Sequence, residues 1–300
     1  MRLYVAVTDN DWFDSLKRLK PEEVNFWTPS GRSFAALQIG EPLLFKLHSP
    51  RNYIAGGGFF AHFSRLPLEL AWQTFGQKNG AASLDEMRVR VNKYRRRKQE
   101  RGSGYYIGCI LLSSPFFFEP GEWIDVPASF SRNIVSGKGY DMTSGDGQAI
   151  WQQVEQRLQA RRENVAEQVA WRSTEVRQRL GQGTFRIVIA DTYQRSCAVT
   201  GGKALPALEA AHIMPVSANG PHSVDNGVLL RSDIHRLFDA GYVTIDTDYR
   251  FRASNSLKED FHNGEEYLAL DRRMIRLPDD RDSWPSREYL EWHGDVMFRG

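Results

Sequence analysis

Cysteine is nearly absent: the 300 residues contain two, Cys109 and Cys197. So few, so far apart, exclude a disulfide framework and a four-cysteine zinc scaffold, and both read as small buried apolar residues. Long apolar runs are absent too. Nothing approaches the roughly 18 residues a membrane helix needs, and the opening MRLYVAVTDNDWF lacks the basic-then-apolar plan of a signal peptide. A cytoplasmic protein with no membrane partner is expected. There are no low-complexity tracts. The net charge of +2 decides nothing about nucleic acid.

The length suffices for two ordinary domains, each with its own core. Hydrophobic residues at 41% and charged residues at 25% are ordinary for a globular chain. Charge is nevertheless uneven. RVRVNKYRRRKQER, from Arg88 to Arg101, sets eight Lys/Arg against Glu100 alone. Such a block reads either as a solvated face or as a phosphate-contacting stripe through Arg95, Arg96, Arg97 and Lys98.

Up to about residue 145 the chain alternates short β-type runs with turn signals: LYVAVT, AALQIG, EPLLFKL, YIAGGGFFAHF and YYIGCILL. PLELAWQTFG reads as a short helix with Leu68, Ala71, Trp72 and Phe75 on one side and Gly76 after its end. An α+β fold is expected, its N-terminal part a small β-barrel with inserted helices over 1–145. Residues 146–182 predict a long helical linker. Its apolar pairs Val154/Leu158, Val165/Val169 and Val176/Leu180 recur every eleven residues, close to the pitch of an undistorted helix. That stripe suits a connecting helix lying against a domain or a seam between two copies. A C-terminal domain over 183–300 follows, with YVTID and YRFRAS as a strand pair and YLEWHGDVMF as a closing helix.

Hydrolysing a phosphodiester needs a base to deprotonate water, a divalent cation on the phosphate and a group that orients the base. The run EAAHIMPVSANGPHSVDNGVLLRSDIHRLFDAG, from Glu209 to Gly241, holds residues suited to each. His212 ends a strand-like run and Asn226 sits in a DNG turn. His235 and Asp239 lie four apart on an expected helix, so both face one way and can share a cation. The bland reading is three polar residues on ordinary strand, turn and helix. His222, His262 and His293 lack such a constellation and read as structural.

Together AHI-x-P, DNG and H-x-LFD-x-G, spaced fourteen and nine residues from His212 to Asn226 to His235, resemble the HNH, or ββα-metal, nucleases. The resemblance implies His212 as general base, Asn226 as holder of the loop and of the base's orientation, and His235 as ligand of one divalent cation, Mg2+ or Mn2+. Many HNH enzymes carry Asp or His just before the base, and here that place is Ala211. Asp239 is then the favoured second ligand and Glu209 the other. Zinc-stapled members use CxxC pairs, and CAVT keeps one cysteine, so no structural zinc is expected.

The first domain, through NFWTPS and G-x-P-x-x-F-K, is similar to EVE domains of the PUA and YTH superfamily. With the HNH segment, the architecture resembles modification-dependent restriction endonucleases that cut double-stranded DNA bearing 5-methylcytosine or 5-hydroxymethylcytosine. A flipped base needs a closed aromatic pocket. Trp27, Tyr53, Phe59 and Trp72 are its candidate walls, Asn25, Ser30 and Ser33 its candidate edge readers, and each aromatic is also explicable as core. In SRNIVSGKGY, Arg132 and Lys138 are candidate DNA contacts on a loop that wedges into the duplex, grips phosphates or is ordinary surface. One module makes one nick, so a homodimer is the linked expectation for cutting both strands. Two other readings stay open: a nuclease for RNA or another modified base, and a catalytically dead binding protein marked by Ala211.

Overall fold

A computed structural model describes residues 1–95, 106–163 and 180–300. Arg96, Arg97 and Lys98, with Val165, Val169 and Val176 of the expected stripe, lie outside the described residues. The chain divides into two units, Met1–Thr184 and Phe185–Gly300.

In the first unit, β1 (Arg2–Thr8) buries Leu3 and Val5. Asp9 then caps α1 (Asn10–Leu19), its Oδ1 accepting from the Trp12 N–H at 3.0 Å. The helix turns Trp12, Phe13 and Leu16 inward, where Trp12 and Phe13 meet Phe45 edge-on. NFWT falls on β2 (Glu23–Thr28). AALQIG, expected as a strand, is loop: the N–H groups of Gln38 and Gly40 go to the Glu41 carboxylate and the Phe60 carbonyl. Next come β3 (Pro42–Leu47) and β4 (Tyr53–Pro67). The glycines of AGGGFF lie within β4. A Cβ on Gly56 would stand 2.3 Å from the Phe116 carbonyl oxygen, so they serve close packing of the sheet on itself.

Pro67 precedes α2 (Leu68–Phe75), which buries Leu68, Ala71 and Phe75 and leaves Trp72 half-exposed. The basic block begins on α3 (Leu84–Lys93), capped by Ser83 and burying Met87 and Val91. Arg88 and Arg90 are engaged there by Asp85, Glu69 and Glu86. After β5 (Tyr106–Phe117) and β6 (Ile124–Asp125), the segment read as a loop ends in β7 (Gly137–Asp141), followed by α4 (Gly145–Glu163).

Among the described residues the sheet runs β2-β5-β4-β3-β1-β7, with β6 on β4. It is open, and the expected closed barrel is not formed. Short β7 ends under a helix instead of meeting β2, since Ile150 and Val154 of α4 pack with Tyr140, Leu3 and Phe118. Val154 is fully buried there, which removes it from any seam between copies.

The second unit begins inside α5 (Gln182–Thr192). Then follow β8 (Leu208–His212), β9 (Gly227–Arg231), α6 (Ser232–Asp239), the hairpin β10 (Val243–Ile245) and β11 (Phe251–Ala253), α7 (Ser256–Phe261), α8 (Glu265–Leu268) and α9 (Arg287–Val296). The buried Cys197 thiol accepts from the Thr200 and Arg231 N–H groups at 3.4 and 3.3 Å. From α9, buried His293 stacks on Phe238 and bonds Thr244 Oγ1 at 2.8 Å, tying α9 to α6 and β10.

Candidate functional site

In the second unit β8 and β9 pair antiparallel with His212 opposite Gly227, so the base candidate ends one strand where the DNG turn starts the other. Gly227 is required by close approach: a Cβ there would meet Ile189 at 2.3 Å and Phe185 at 2.9 Å. Its absence lets α5 lie on the strand pair and sets Phe185 flat on the His212 ring, centroids 4.0 Å apart and planes 11° from parallel.

Asn226 is fully buried and its amide is spent on backbone. Oδ1 accepts from Met214 N, and Nδ2 donates to the carbonyls of Met214 and Pro221, all at 2.9 Å. The loop after His212 is thereby held at both sides, and Asn226 is linked to His212 through the chain.

His212 Nε2 lies 2.9 Å from His222 Nδ1. Burial, then the charges of His222 and His235, push the His212 pKa down to about 4. At neutral pH the ring is unprotonated, the state a general base needs. Its Nδ1 has no hydrogen-bond partner among the described residues.

His235 stands between two carboxylates. Its Nδ1 is 2.7 Å from Glu209 Oε2 across from β8, and its Nε2 is 3.3 Å from Asp239 Oδ2 one turn along α6. In the neutral ring Nδ1–H donates to Glu209, which leaves the Nε2 lone pair facing a carboxylate oxygen. Two acceptors so opposed repel unless a proton or cation lies between them. Burial and the Glu209 charge, outweighing His235, raise the Asp239 pKa. Nitrogen plus carboxylate oxygen fits a hard divalent cation held by His235 and Asp239, with Glu209 orienting the imidazole from behind. Among the described residues no group of three His, Cys, Asp or Glu side chains is disposed around a common metal position; Glu209 and Asp239 take opposite nitrogens of the His235 ring.

The first unit contains a cavity of about 790 Å³. Trp12, Trp27, Phe26, Phe34, Tyr4 and Tyr94 supply apolar wall, and Asp9, His48, Ser30, Ser33 and Arg95 polar wall. Of the expected pocket residues, Trp27, Ser30 and Ser33 line it and four do not. Asn25 is fully buried and spends its amide on Asn79 Oδ1 and Cys109 Sγ. Phe59 packs in the sheet core. Tyr53 leans on Trp123 at the surface, and Trp72 sits outside the cavity on α2. The Trp27 indole N–H is already taken by the Asn79 carbonyl at 3.0 Å, so only its ring is offered.

Arg95 is tied to the carbonyls of Pro29 and Tyr106 at 3.1 and 2.7 Å. Lys138 lies on β7, donating to the Ser129 carbonyl at 2.8 Å. Arg132 is exposed in the preceding turn.

Sequence reasoning missed Asp9, Tyr94 and His48 in the cavity. Burial raises the Asp9 pKa, but hydrogen bonds from the Tyr94 hydroxyl and the Trp12 N–H, with Lys93 and Arg90 nearby, outweigh it and hold the carboxyl below its usual range. Asp9 announces itself in sequence only as a helix cap. His222 was read as structural, and its one signal is its place in the loop between His212 and Asn226.

Residues 197–246 match the model of the HNH_2 family, described as HNH endonuclease. The chain carries an HNH endonuclease domain there. No curated protein matches it significantly. Among solved structures, the chain is similar to ASCH from Zymomonas mobilis, at 8% identity and a TM-score of 0.35 over 51% of this chain and 94% of that one. It is also similar to a structure described as the modification-dependent TagI restriction endonuclease, at 10% identity and a TM-score of 0.30 over 87% of this chain and 62% of that one. Likenesses this loose do not establish a shared fold. No helix among the described residues is long and apolar enough to cross a membrane.

Proposed function

We propose that the chain is a modification-dependent DNA endonuclease. Its EVE-like first unit takes a flipped 5-methylcytosine or 5-hydroxymethylcytosine, and its HNH domain hydrolyses a nearby phosphodiester. The observation that carries the nuclease reading is His235 set between Glu209 and Asp239, with unprotonated His212 and the Asn226-held loop on the same strand pair. His212 takes the proton of the attacking water, Asn226 keeps the loop and so the ring in place, and Phe185 restricts the ring to one plane. A divalent cation, Mg2+ or Mn2+, held by His235 and Asp239, supplies electrostatic stabilisation of the phosphate's developing charge.

The base-reading half is supported by the cavity of the first unit. Trp27 and Tyr94 offer aromatic surface for a displaced base, and ionised Asp9 offers an acceptor suited to the exocyclic amine of cytosine. Val135, 82% exposed at the cavity wall, is the apolar side chain suited to the gap such a base leaves. Arg95, Arg132 and Lys138 would meet phosphates. A double-strand break would need two copies acting together.

Matched duplexes carrying cytosine, 5-methylcytosine, 5-hydroxymethylcytosine or N6-methyladenine, incubated in Mg2+ or Mn2+ with end mapping, test this. Products confined to the cytosine-modified duplexes are expected. Equal cutting of unmodified DNA would remove the reader, and intact DNA in every lane would remove the nuclease.

A further inference from the structure

We infer that His222 is the positioning residue for the general base: its Nδ1 accepts the Nε2–H of His212 and so fixes the tautomer that leaves His212 Nδ1 as the free lone pair. The inference rests on the nuclease reading of this site and adds to it a residue that the spacing His212–Asn226–His235 does not contain.

A neutral imidazole has one donor and one acceptor nitrogen, and the partner of one decides which nitrogen is left for chemistry. The contact at 2.9 Å joins Nε2 of His212 to Nδ1 of His222, so one ring must donate and the other accept. Were His222 the donor, the basic lone pair of His212 would be consumed at Nε2 and its Nδ1 would carry the proton, leaving nothing to take one from water. Donation from His212 is the arrangement compatible with a base. The rings are held for it on two sides. Phe185 stacks on His212 and also touches His222, ring centroids 5.7 Å apart, and the two imidazoles meet edge to face at 4.8 Å. His222 directly follows Pro221, whose carbonyl is bound by Asn226. The amide that holds the loop at Met214 thus also anchors the residue before His222. His222 further contributes to the lowered His212 pKa.

Two readouts on the full chain test this. A long-range proton–nitrogen spectrum of the protein without metal or DNA reads the tautomers, and nicking of a supercoiled plasmid made with 5-methylcytosine in Mn2+ reads catalysis. We expect the proton of His212 on Nε2, with that preference lost in His222→Phe. His222→Phe should lower kcat about ten- to a hundredfold with KM for the plasmid within about threefold. His222→Asn, which returns an acceptor near the former Nδ1, should recover most of the rate. A His212 proton on Nδ1 in the wild-type protein would overturn the inference. So would a folded His222→Phe protein nicking at the wild-type rate, or a folded His222→Asn protein no better than His222→Phe. A wild-type protein that shows the expected tautomer yet leaves the plasmid whole would instead sink the nuclease reading while the hydrogen bond stands.

Discussion

Asn226 and Met214 are joined by a reciprocal pair of hydrogen bonds, amide oxygen to backbone N–H and amide nitrogen to backbone carbonyl, both at 2.9 Å. Since Asn226 is fully buried, no water replaces it. Asn226→Ala leaves the backbone groups of Met214 and the Pro221 carbonyl unmatched, at about 1–3 kcal/mol for each left buried. Calorimetry should show a lower melting temperature, and nicking should be lost. Asn226→Asp, which keeps the acceptor and loses the donor, should fall between.

In the proposed metal site the two carboxylates on His235 have different duties, which separate by mutation. Asp239 faces the lone-pair nitrogen and Glu209 the N–H. Asp239→Asn should weaken Mn2+ binding, measured by calorimetric titration, by more than Glu209→Gln does. The latter loses about ten- to a hundredfold through the misoriented ring. Equal wild-type affinity in both variants would place the cation elsewhere.

In the first unit, Asp9→Asn isolates charge from structure, because asparagine also caps a helix. Its melting temperature should fall modestly, through the lost charge facing Tyr94 and Lys93, while preference for a cytosine-modified duplex over an unmodified one in a binding titration should fall at least about tenfold. An unchanged preference would leave Asp9 a cap alone.

His293 makes the second unit acid-sensitive. Burial, partly opposed by its bond to the Phe238 carbonyl, lowers its pKa to about 4, below the value near 6.5 of an unfolded histidine. The unfolded chain therefore binds this proton first as pH falls. The stability is fully present above about pH 6.5 and is lost on the way down to about pH 4, roughly 3 kcal/mol in all. Denaturant titrations across that window should show the loss, and His293→Gln should remove its share while leaving that of His212, whose pKa is lowered to about 4 as well.

The nuclease corner was legible because its signals are local. His212 closes a short apolar strand, Asn226 opens the next, and His235 and Asp239 are one helical turn apart, so β8, β9 and α6 bring them together with Glu209. His222 was not, since its contact depends on the path of the loop from Ile213 to Asp225. The cavity was legible only at Trp27, Ser30 and Ser33. Asp9 and Tyr94, bonded to each other, are brought together by the packing of α1 near the end of α3, which no pattern in either segment announces. Asn25 shows the converse: on β2 it is turned into the core beside Cys109, and a polar residue two positions before a tryptophan looked like a reader. The barrel failed for a similar reason. Strand patterns reveal strands but not whether the edge strands β2 and β7 meet or β7 ends under α4.

The most direct measurement compares wild-type protein and His212→Ala on one plasmid containing 5-methylcytosine, reading nicking in Mn2+ and binding in the absence of a divalent ion. The account predicts equal binding by both proteins and loss of nicking by the variant of at least about a hundredfold. Nicking by His212→Ala at the wild-type rate would contradict it.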